Sequence, residues 1–482
     1  MKRESPAAAG PPPLNEALGW LNTEPVVEVI SVHQADPAPR RGTTEAEVDW
    51  GLVVSLRQRA SAEIADNAER WAKEHGSPMP AADRRMMGRS VIRQIVHAHA
   101  ELLTSEGQAL WPLDLERRYV AAVDSATFGF GRLQPLLEIA DAENIEIHGW
   151  DSVVVQYGDG RREQRPPVAD SDEELVEAIR FLGETASPPR AFDDAHPMMT
   201  IALGDKFRLH AIGFGLSYRP SIIIRQHILT TVTLPELVRG GMMPDNVARL
   251  LHSAVLARKS VCISGDQGAG KTTLLRALIA AIPQTERFGT LETDYELLTH
   301  LQPGRTNMLA LQAKVGLGER QDGRLVGEYT VADLIPEALR QNLSRLVVGE
   351  VRGAEAGAMF EAMTAGAGTL STTHSHSAAG TVDRLASRVA QGGVLTVAEA
   401  YRQVAHHLHL LVHVKLVDDT WRGGVRRRFI SEIRSLTGGL ENDRPTTHLV
   451  YRAASATSPE TFFPDPDLAA ELAEFDSVWS SA

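Results

Sequence analysis

The spacing of apolar residues changes along the chain, and each change predicts a different architecture. Between about Glu45 and Leu137 apolar positions recur at helical spacing. Leu52, Leu56, Ala60 and Ile64 form one stripe, and Met87, Val91, Ile92, Ile95 and Val96 a second. Leu115, Tyr119, Val120 and Val123 form a third, so residues 45–137 read as a helical bundle. From Ile139 to about His227 the period changes. Ile145 to His148, Val153 to Val155, Thr200 to Leu203, Phe207 to Ile212 and Ser221 to Arg225 read as strands, and Glu173 to Leu182 as a helix. Residues 138–230 are therefore expected to be an α+β domain, with 231–256 a mostly helical linker. From Lys259 to about Arg452 short apolar runs alternate with helical segments. Residues 257–452 thus read as α/β, a parallel sheet covered by helices. The ends lack such patterns. Residues 1–44 read as a flexible tail, and residues 453–482 as a polar tail with an acidic helical stretch.

Composition narrows the classes. At 482 residues the chain accommodates two or three domains, and aromatics at 5% leave the cores to aliphatic side chains. A net charge of -13 argues against a protein that coats nucleic acid or anionic lipid, so no direct nucleic-acid partner is expected. Cys262 is the only cysteine, which rules out an intrachain disulfide and a four-cysteine zinc module and fits a reducing cytoplasm. Met1 to Pro13 has no apolar core and does not read as a signal peptide. With no run of ~18 apolar residues, no membrane-spanning helix is expected, and a role at a membrane would come through a partner.

The candidate chemistry centres on Gly265-Asp266-Gln267-Gly268-Ala269-Gly270-Lys271-Thr272, which fits G-x-x-x-x-G-K-[ST] between an apolar strand and a helix. Glycines let the loop curl so that backbone N–H groups face phosphate oxygens, and the helix N-terminus adds its positive dipole end. Lys271 is expected on the β- and γ-phosphates of ATP, the Thr272 hydroxyl on Mg²⁺, and Thr273 beside them. Leu346 to Glu350 is an apolar run ending in an acid. Glu350 would polarise the attacking water, directly or through the Mg²⁺ shell.

Gly265 to Thr272, Val348-Gly349-Glu350-Val351-Arg352-Gly353 and Thr369 to Ser377 together resemble the ATPases of type II and type IV secretion and pilus assembly. The likeness is greatest to the tight-adherence pilus branch. The family order of Walker A, an acidic box, Walker B and a histidine box is kept. Glu292 and Glu296 hold the acidic-box spacing, while Thr293 stands where the family usually has aspartate. His374 matches the histidine box, and His376 stands where asparagine is usual. Upstream, Asp193, Pro197, Asp205, Arg208, Ala211 and Arg225 match, as do Arg340, Arg345 and Arg384 downstream. The resemblance implies a RecA-like P-loop NTPase core behind the α+β domain, and ATP held between the two domains and a neighbouring subunit. It also implies a homohexameric ring that works with an inner-membrane platform protein on the cytoplasmic face. Glu350, Glu292, Glu296 and His374 would be catalytic, with His374 sensing the γ-phosphate. Arg208 and Arg225 would supply charge from the second domain.

Several features have other readings. His406, His407, His409 and His413 are crowded, and strand alternation would put the last three on one face as a metal site; solvated histidines are the plainer reading. Arg422 to Arg428 reads as a solvated turn face, or as a contact for nucleic acid or lipid headgroups. A nucleic-acid or conjugative transfer motor with the same core, and a scaffold that binds ATP without turnover, are the alternative functions.

Overall fold

The structure, a computed structural model, describes residues 48–476 apart from 303, 315, 317–319, 322–323, 354, 365–367, 392, 394 and 456–458. The tail expected over residues 1–44 lies outside the described residues. The chain forms two compact units that divide after Val123.

The first unit consists of α1 (Trp50–His75), α2 (Ala81–Ser105) and most of α3 (Leu113–Phe128). The Asp49 side chain caps α1 by accepting from Leu52 N–H at 3.2 Å, and Gly76 closes it with φ 68°. Most of the expected stripe positions are buried, with Val53 in place of Leu52: Leu56, Ala60 and Ile64 on α1, Val91, Ile92, Ile95 and Val96 on α2, and Tyr119 and Val123 on α3, while Met87, Leu115 and Val120 are half-buried.

The second unit begins with α4 (Gln134–Leu137), β1 (Ala142–His148), β2 (Val153–Tyr157), β3 (Arg162–Arg165), α5 (Asp172–Thr185), β4 (Met198–Leu203), β5 (Phe207–Ile212) and β6 (Ser221–Gln226). The six strands form an antiparallel sheet in the order β3-β2-β1-β6-β5-β4. One face buries Ile145, Ile147, Val155, Leu209, Ile222 and Ile224 against Leu175, Ile179 and Leu182 of α5. By strand alternation the other face carries Asn144, Ile223, Arg225, Arg208 and His210, and Arg208 sits directly opposite Arg225.

Next come α6 (Leu234–Arg239) and α7 (Asp245–Leu256). This stretch was expected only as a connection, yet Val232, Leu234, Leu237, Val247, Leu251 and Val255 are buried in the core of the larger sheet that follows. That sheet is built from β7 (Val261–Gly265), β8 (Phe288–Glu292), β9 (Met308–Gln312), β12 (Arg345–Val348), β13 (Gly368–His374), β14 (Leu410–Asp418), β15 (Arg426–Glu441), β16 (Arg444–Arg452) and β17 (Thr461–Phe462). A separate two-stranded ribbon pairs β10 (Arg320–Gln321) with β11 (Arg324–Leu325). The sheet order is β17-β16-β15-β14-β7-β13-β12-β8-β9. From β14 to β9 every pair is parallel. The helices are α8 (Lys271–Ala280), α9 (Val331–Leu339), α10 (Glu355–Thr364), α11 (Ala378–Gln391), α12 (Val397–His407) and α13 (Pro466–Asp476). They form a core on each face, so β7 is buried at every position.

The sequence pattern predicted a parallel sheet. The structure extends it with the antiparallel strands β15 to β17. The β15–β16 hairpin turns at Asn442 and Asp443, both at positive φ, as a tight two-residue turn requires. In α13, Leu472 is buried in the same core as α7, so part of the expected polar tail is packed.

Candidate functional site

Strands β7, β13, β12 and β8 are adjacent and parallel, so the segments that follow them converge at one edge of the sheet. Gly265 to Lys271 follows β7, and His374 ends β13. Glu350 lies two residues beyond β12, and Glu292 ends β8. Four motifs scattered over more than a hundred residues thereby become one site.

The loop after β7 is shaped by close approach. A Cβ on Gly265 would lie 2.2 Å from the Val414 carbonyl oxygen, and Gly270 starts α8 at φ 96°. Asp266 and Gln267 are exposed on the rim, Ala269 is buried, and Thr272 and Thr273 are half-buried at the start of α8. Lys271 is buried, and its Nζ donates to the carbonyls of Gly265 at 3.0 Å and Asp266 at 2.9 Å. Burial lowers its pKa to about 8, against the pull of Glu350 and Asp266. A desolvated ammonium held by two neutral oxygens, inside a glycine loop at a helix N-terminus, fits phosphate. The Thr272 hydroxyl and the Glu350 carboxylate are hard oxygen donors, and they fit Mg²⁺ shared with phosphates.

Glu350 and His374 face Lys271. The Lys271 Nζ lies 3.3 Å from His374 Nδ1, and His374 Nε2 lies 3.1 Å from Glu350 Oε1. An ammonium only donates, so Nδ1 accepts and the imidazole proton sits on Nε2 beside Glu350. Burial, reinforced by Lys271, lowers the His374 pKa, which keeps the ring neutral near pH 7. Burial alone would raise the Glu350 pKa. Arg352, donating from Nη2 at 2.7 Å, outweighs it with help from His374 and Lys271, and Glu350 is held below the usual carboxylate range. Thr372 and Thr373 fix this loop to β13 through Gly349 O at 2.6 Å and Val351 O at 3.0 Å.

The acidic box behaves differently. Glu292 is 3% exposed, and its Oε1 accepts from the backbone N–H groups of Glu296 at 2.9 Å and Leu297 at 2.8 Å. Burial raises its pKa to about 7 despite those bonds. Glu296 pairs with Arg208 of the six-stranded domain. Buried Arg276 donates to the Glu296 carbonyl and, at 2.8 Å, to that of Leu229.

A cavity of about 1210 Å³ separates the two domains. It is lined by Gly268, Gly270, Thr272 and Thr273 on one side and by Arg225, Gln226 and His227 on the other. The two candidate arginines thus part company. Arg225 faces the P-loop, whereas Arg208 is tied to Glu296 and lines a separate cavity of about 240 Å³. The shielding of Arg225 does not come from the apolar run before it. Ile223, on its own face, is 42% exposed, and the cover comes from the larger domain.

Two readings from the sequence are corrected. His407 ends α12, while His409 precedes β14 and accepts from Ser260 N–H at 3.1 Å. His413 is buried against Ser264 Oγ at 3.0 Å. The three share no strand face, and among the described residues no group of three or more His, Cys, Asp or Glu could hold a metal. The solvated turn face expected over Arg422 to Arg428 is also wrong for two of its members. The Arg426 and Arg428 side chains are 7% and 24% exposed and both pair with Glu143 of β1. The tandem arginines at alternate strand positions were visible in the sequence, but nothing local pointed to Glu143.

The type II/IV secretion system protein family matches residues 166–427. A Mycobacterium tuberculosis protein named for conjugal transfer is 32% identical over 324 residues, covering 64% of this chain and 84% of its own. Protein VirB11 of Agrobacterium fabrum is 34% identical over 125 residues, 26% of this chain and 33% of its own. Among solved structures, the Legionella pneumophila ATPase DotB aligns at 20% identity with a TM-score of 0.43, covering 63% of this chain and 79% of that one. The family match spans more than half of the chain, and this chain therefore belongs to the type II/IV secretion system protein family, the secretion ATPases.

Proposed function

We propose that the chain is an ATP-hydrolysing motor of a secretion or pilus-assembly system, working as a homohexamer on the cytoplasmic face of a membrane with an inner-membrane platform protein. The observation that carries this reading is the convergence of Lys271, Glu350 and His374 beside a phosphate loop whose Gly268, Gly270, Thr272 and Thr273 line one cavity with Arg225. Lys271 and the loop N–H groups bind the phosphates of ATP. Glu350, kept ionised by Arg352, takes up proton density from the attacking water. Neutral His374 already carries its proton on the nitrogen facing Glu350, and a phosphate oxygen arriving there competes for that proton. Arg225 brings positive charge from the second domain toward the phosphates. Mg²⁺ bound by Thr272, with Glu350 near it, would neutralise phosphate charge.

Lys271→Ala is expected to remove most ATP affinity in a binding titration; unchanged affinity would defeat the assignment. Arg225→Ala is expected to keep binding but lower turnover by ~10³ or more if Arg225 acts as an arginine finger, with Arg208→Ala weaker. Sedimentation of the wild type with nucleotide tests the ring, and a strictly monomeric protein would remove it. The name of the mycobacterial relative keeps a conjugative transfer motor as the second reading. Hydrolysis stimulated by single-stranded DNA would favour it over protein export.

A further inference from the structure

Arg428 belongs to none of the motifs above, yet all three of its guanidinium nitrogens are bonded. Its Nε donates to the Gly268 carbonyl in the P-loop at 2.7 Å, and Nη1 to the Gly158 carbonyl at 3.3 Å. Nη2 donates to both oxygens of Glu143, at 2.7 and 2.9 Å. Gly268 is part of the nucleotide loop. Glu143 and Gly158 belong to the six-stranded domain, in β1 and in the turn after β2. Arg426, on the same face of β15, adds a bond from Nη1 to Glu143 Oε2 at 3.1 Å. A single half-buried carboxylate therefore gathers two arginines of the larger domain, and one of them holds the P-loop.

The grip falls on a peptide that matters. The Gly268–Ala269 bond is trans, so the Gly268 carbonyl and the Ala269 N–H point in opposite directions. Holding the carbonyl from outside aims the N–H inward. There it donates to Asp266 O at 3.3 Å, the oxygen that Lys271 Nζ also approaches at 2.9 Å. The stem of Arg428 supports the loop at a second point, since a Cβ on Gly270 would lie 3.4 Å from Arg428 Cδ.

We infer that Arg428 is a positioning residue that sets the P-loop backbone to receive phosphate, and that Glu143 makes this setting depend on the six-stranded domain being seated. The inference rests on the ATP site proposed above. When that domain is in place, Glu143 and Gly158 fix the guanidinium plane and Nε stays on Gly268. When it moves away, Arg428 keeps its bond to Gly268 but its guanidinium plane is no longer fixed, and the loop is held less firmly. Domain position is thereby converted into ATP affinity through one side chain.

The test is an ATP titration with stoichiometry floated, together with steady-state hydrolysis, on the full chain. The variants are Glu143→Gln, Arg428→Ala, Arg428→Lys, the double variant Glu143→Gln/Arg428→Ala, and Lys271→Ala. Partial unfolding lowers the number of sites and leaves the affinity of the remainder. Glu143→Gln is expected to raise Kd and KM for ATP about 3- to 10-fold, with kcat changed less. Arg428→Lys, which keeps the charge but loses the fork, should match Arg428→Ala. The double variant should bind no more weakly than Arg428→Ala alone, because Glu143 acts through Arg428. A Glu143→Gln affinity within twofold of wild type, additive effects in the double variant, or full rescue by lysine would each overturn the inference. If Lys271→Ala abolishes binding while Glu143→Gln has no effect, the ATP site stands and only the coupling fails. If the wild type binds no ATP, the site itself fails.

Discussion

Strands β8 and β12 lie side by side, and each leads into a glutamate at the same edge of the sheet. Val348 is paired with Leu291, so Gly349 faces the end of β8, where a Cβ would come within 3.0 Å of Glu292 Cγ. The two acids are thus near neighbours, and both lose water. Glu350 gains Arg352, His374 and Lys271, and stays ionised. Glu292 is buried more deeply, and two backbone N–H groups and the more distant charge of Arg276 do not offset that burial and the repulsion of Glu296, so its pKa rises to about 7. Two glutamates at neighbouring strand ends therefore titrate in different ranges, Glu350 below the usual carboxylate range and Glu292 near neutrality. The difference is made by what stands beside them, one cation-rich and one not. An ionised acid suits proton abstraction. A carboxyl poised near 7 suits a hydrogen-bonded structural role or a proton relay.

The largest expected effect separates the two directly. Glu350→Gln should bind ATP and lose ~10² or more in turnover, since an amide accepts no proton from water. Glu292→Gln should lose far less, because an amide oxygen still accepts from the N–H groups of Glu296 and Leu297. Equal losses in a hydrolysis assay would erase the distinction.

The second effect tests its cause. Arg352 is the chief group holding Glu350 low, so Arg352→Ala should raise the Glu350 pKa. The acid limb of the pH–rate profile then moves to higher pH, with turnover depressed most below neutrality and partly recovered as pH rises. An acid limb that stays in place would mean that Arg352 does not hold Glu350 ionised.

The smallest effect concerns stability. Glu292 has a folded pKa raised above the unfolded value, so its protonated form fits the fold. Stability from this group is fully present below about 4.5 and is lost as pH rises through about 7. Glu292→Gln removes that dependence. It should stabilise the chain at pH 8, by at most roughly 3 kcal/mol for a shift of this size, and change little at pH 4. Chemical denaturation at the two pH values measures the difference, and a uniform loss at both would contradict it.

How much of this was legible in the sequence follows from where the physics is local. The phosphate loop is local: its glycines, Lys271 and the following helix lie within one stretch, and the structure keeps them as read. Glu350 was legible because it closes the apolar run from Leu346, and His374 through the histidine-box resemblance. Arg225 was a candidate through the resemblance alone, and its cover by the other domain was not legible. The different titration of Glu292 and Glu350 was not legible, because it depends on how deeply each is buried and on Arg352 reaching Glu350. Arg428 was missed because its partner Glu143 is 285 residues away in the chain. The extension by β15 to β17 escaped for a related reason. Alternation of strands and helices announces a parallel sheet but is silent about hairpins added at its edge.

The most direct measurement is a titration of the two carboxyl groups in the intact chain, by carbon-13 NMR or isotope-edited infrared spectroscopy with glutamate labelling. The Glu350→Gln and Glu292→Gln variants assign the signals. The account predicts one carboxyl that titrates near pH 7 and disappears in Glu292→Gln. It predicts a second that stays ionised from pH 5 upward and disappears in Glu350→Gln. A Glu350 signal titrating near neutrality, or a Glu292 signal already ionised at pH 5, would contradict it.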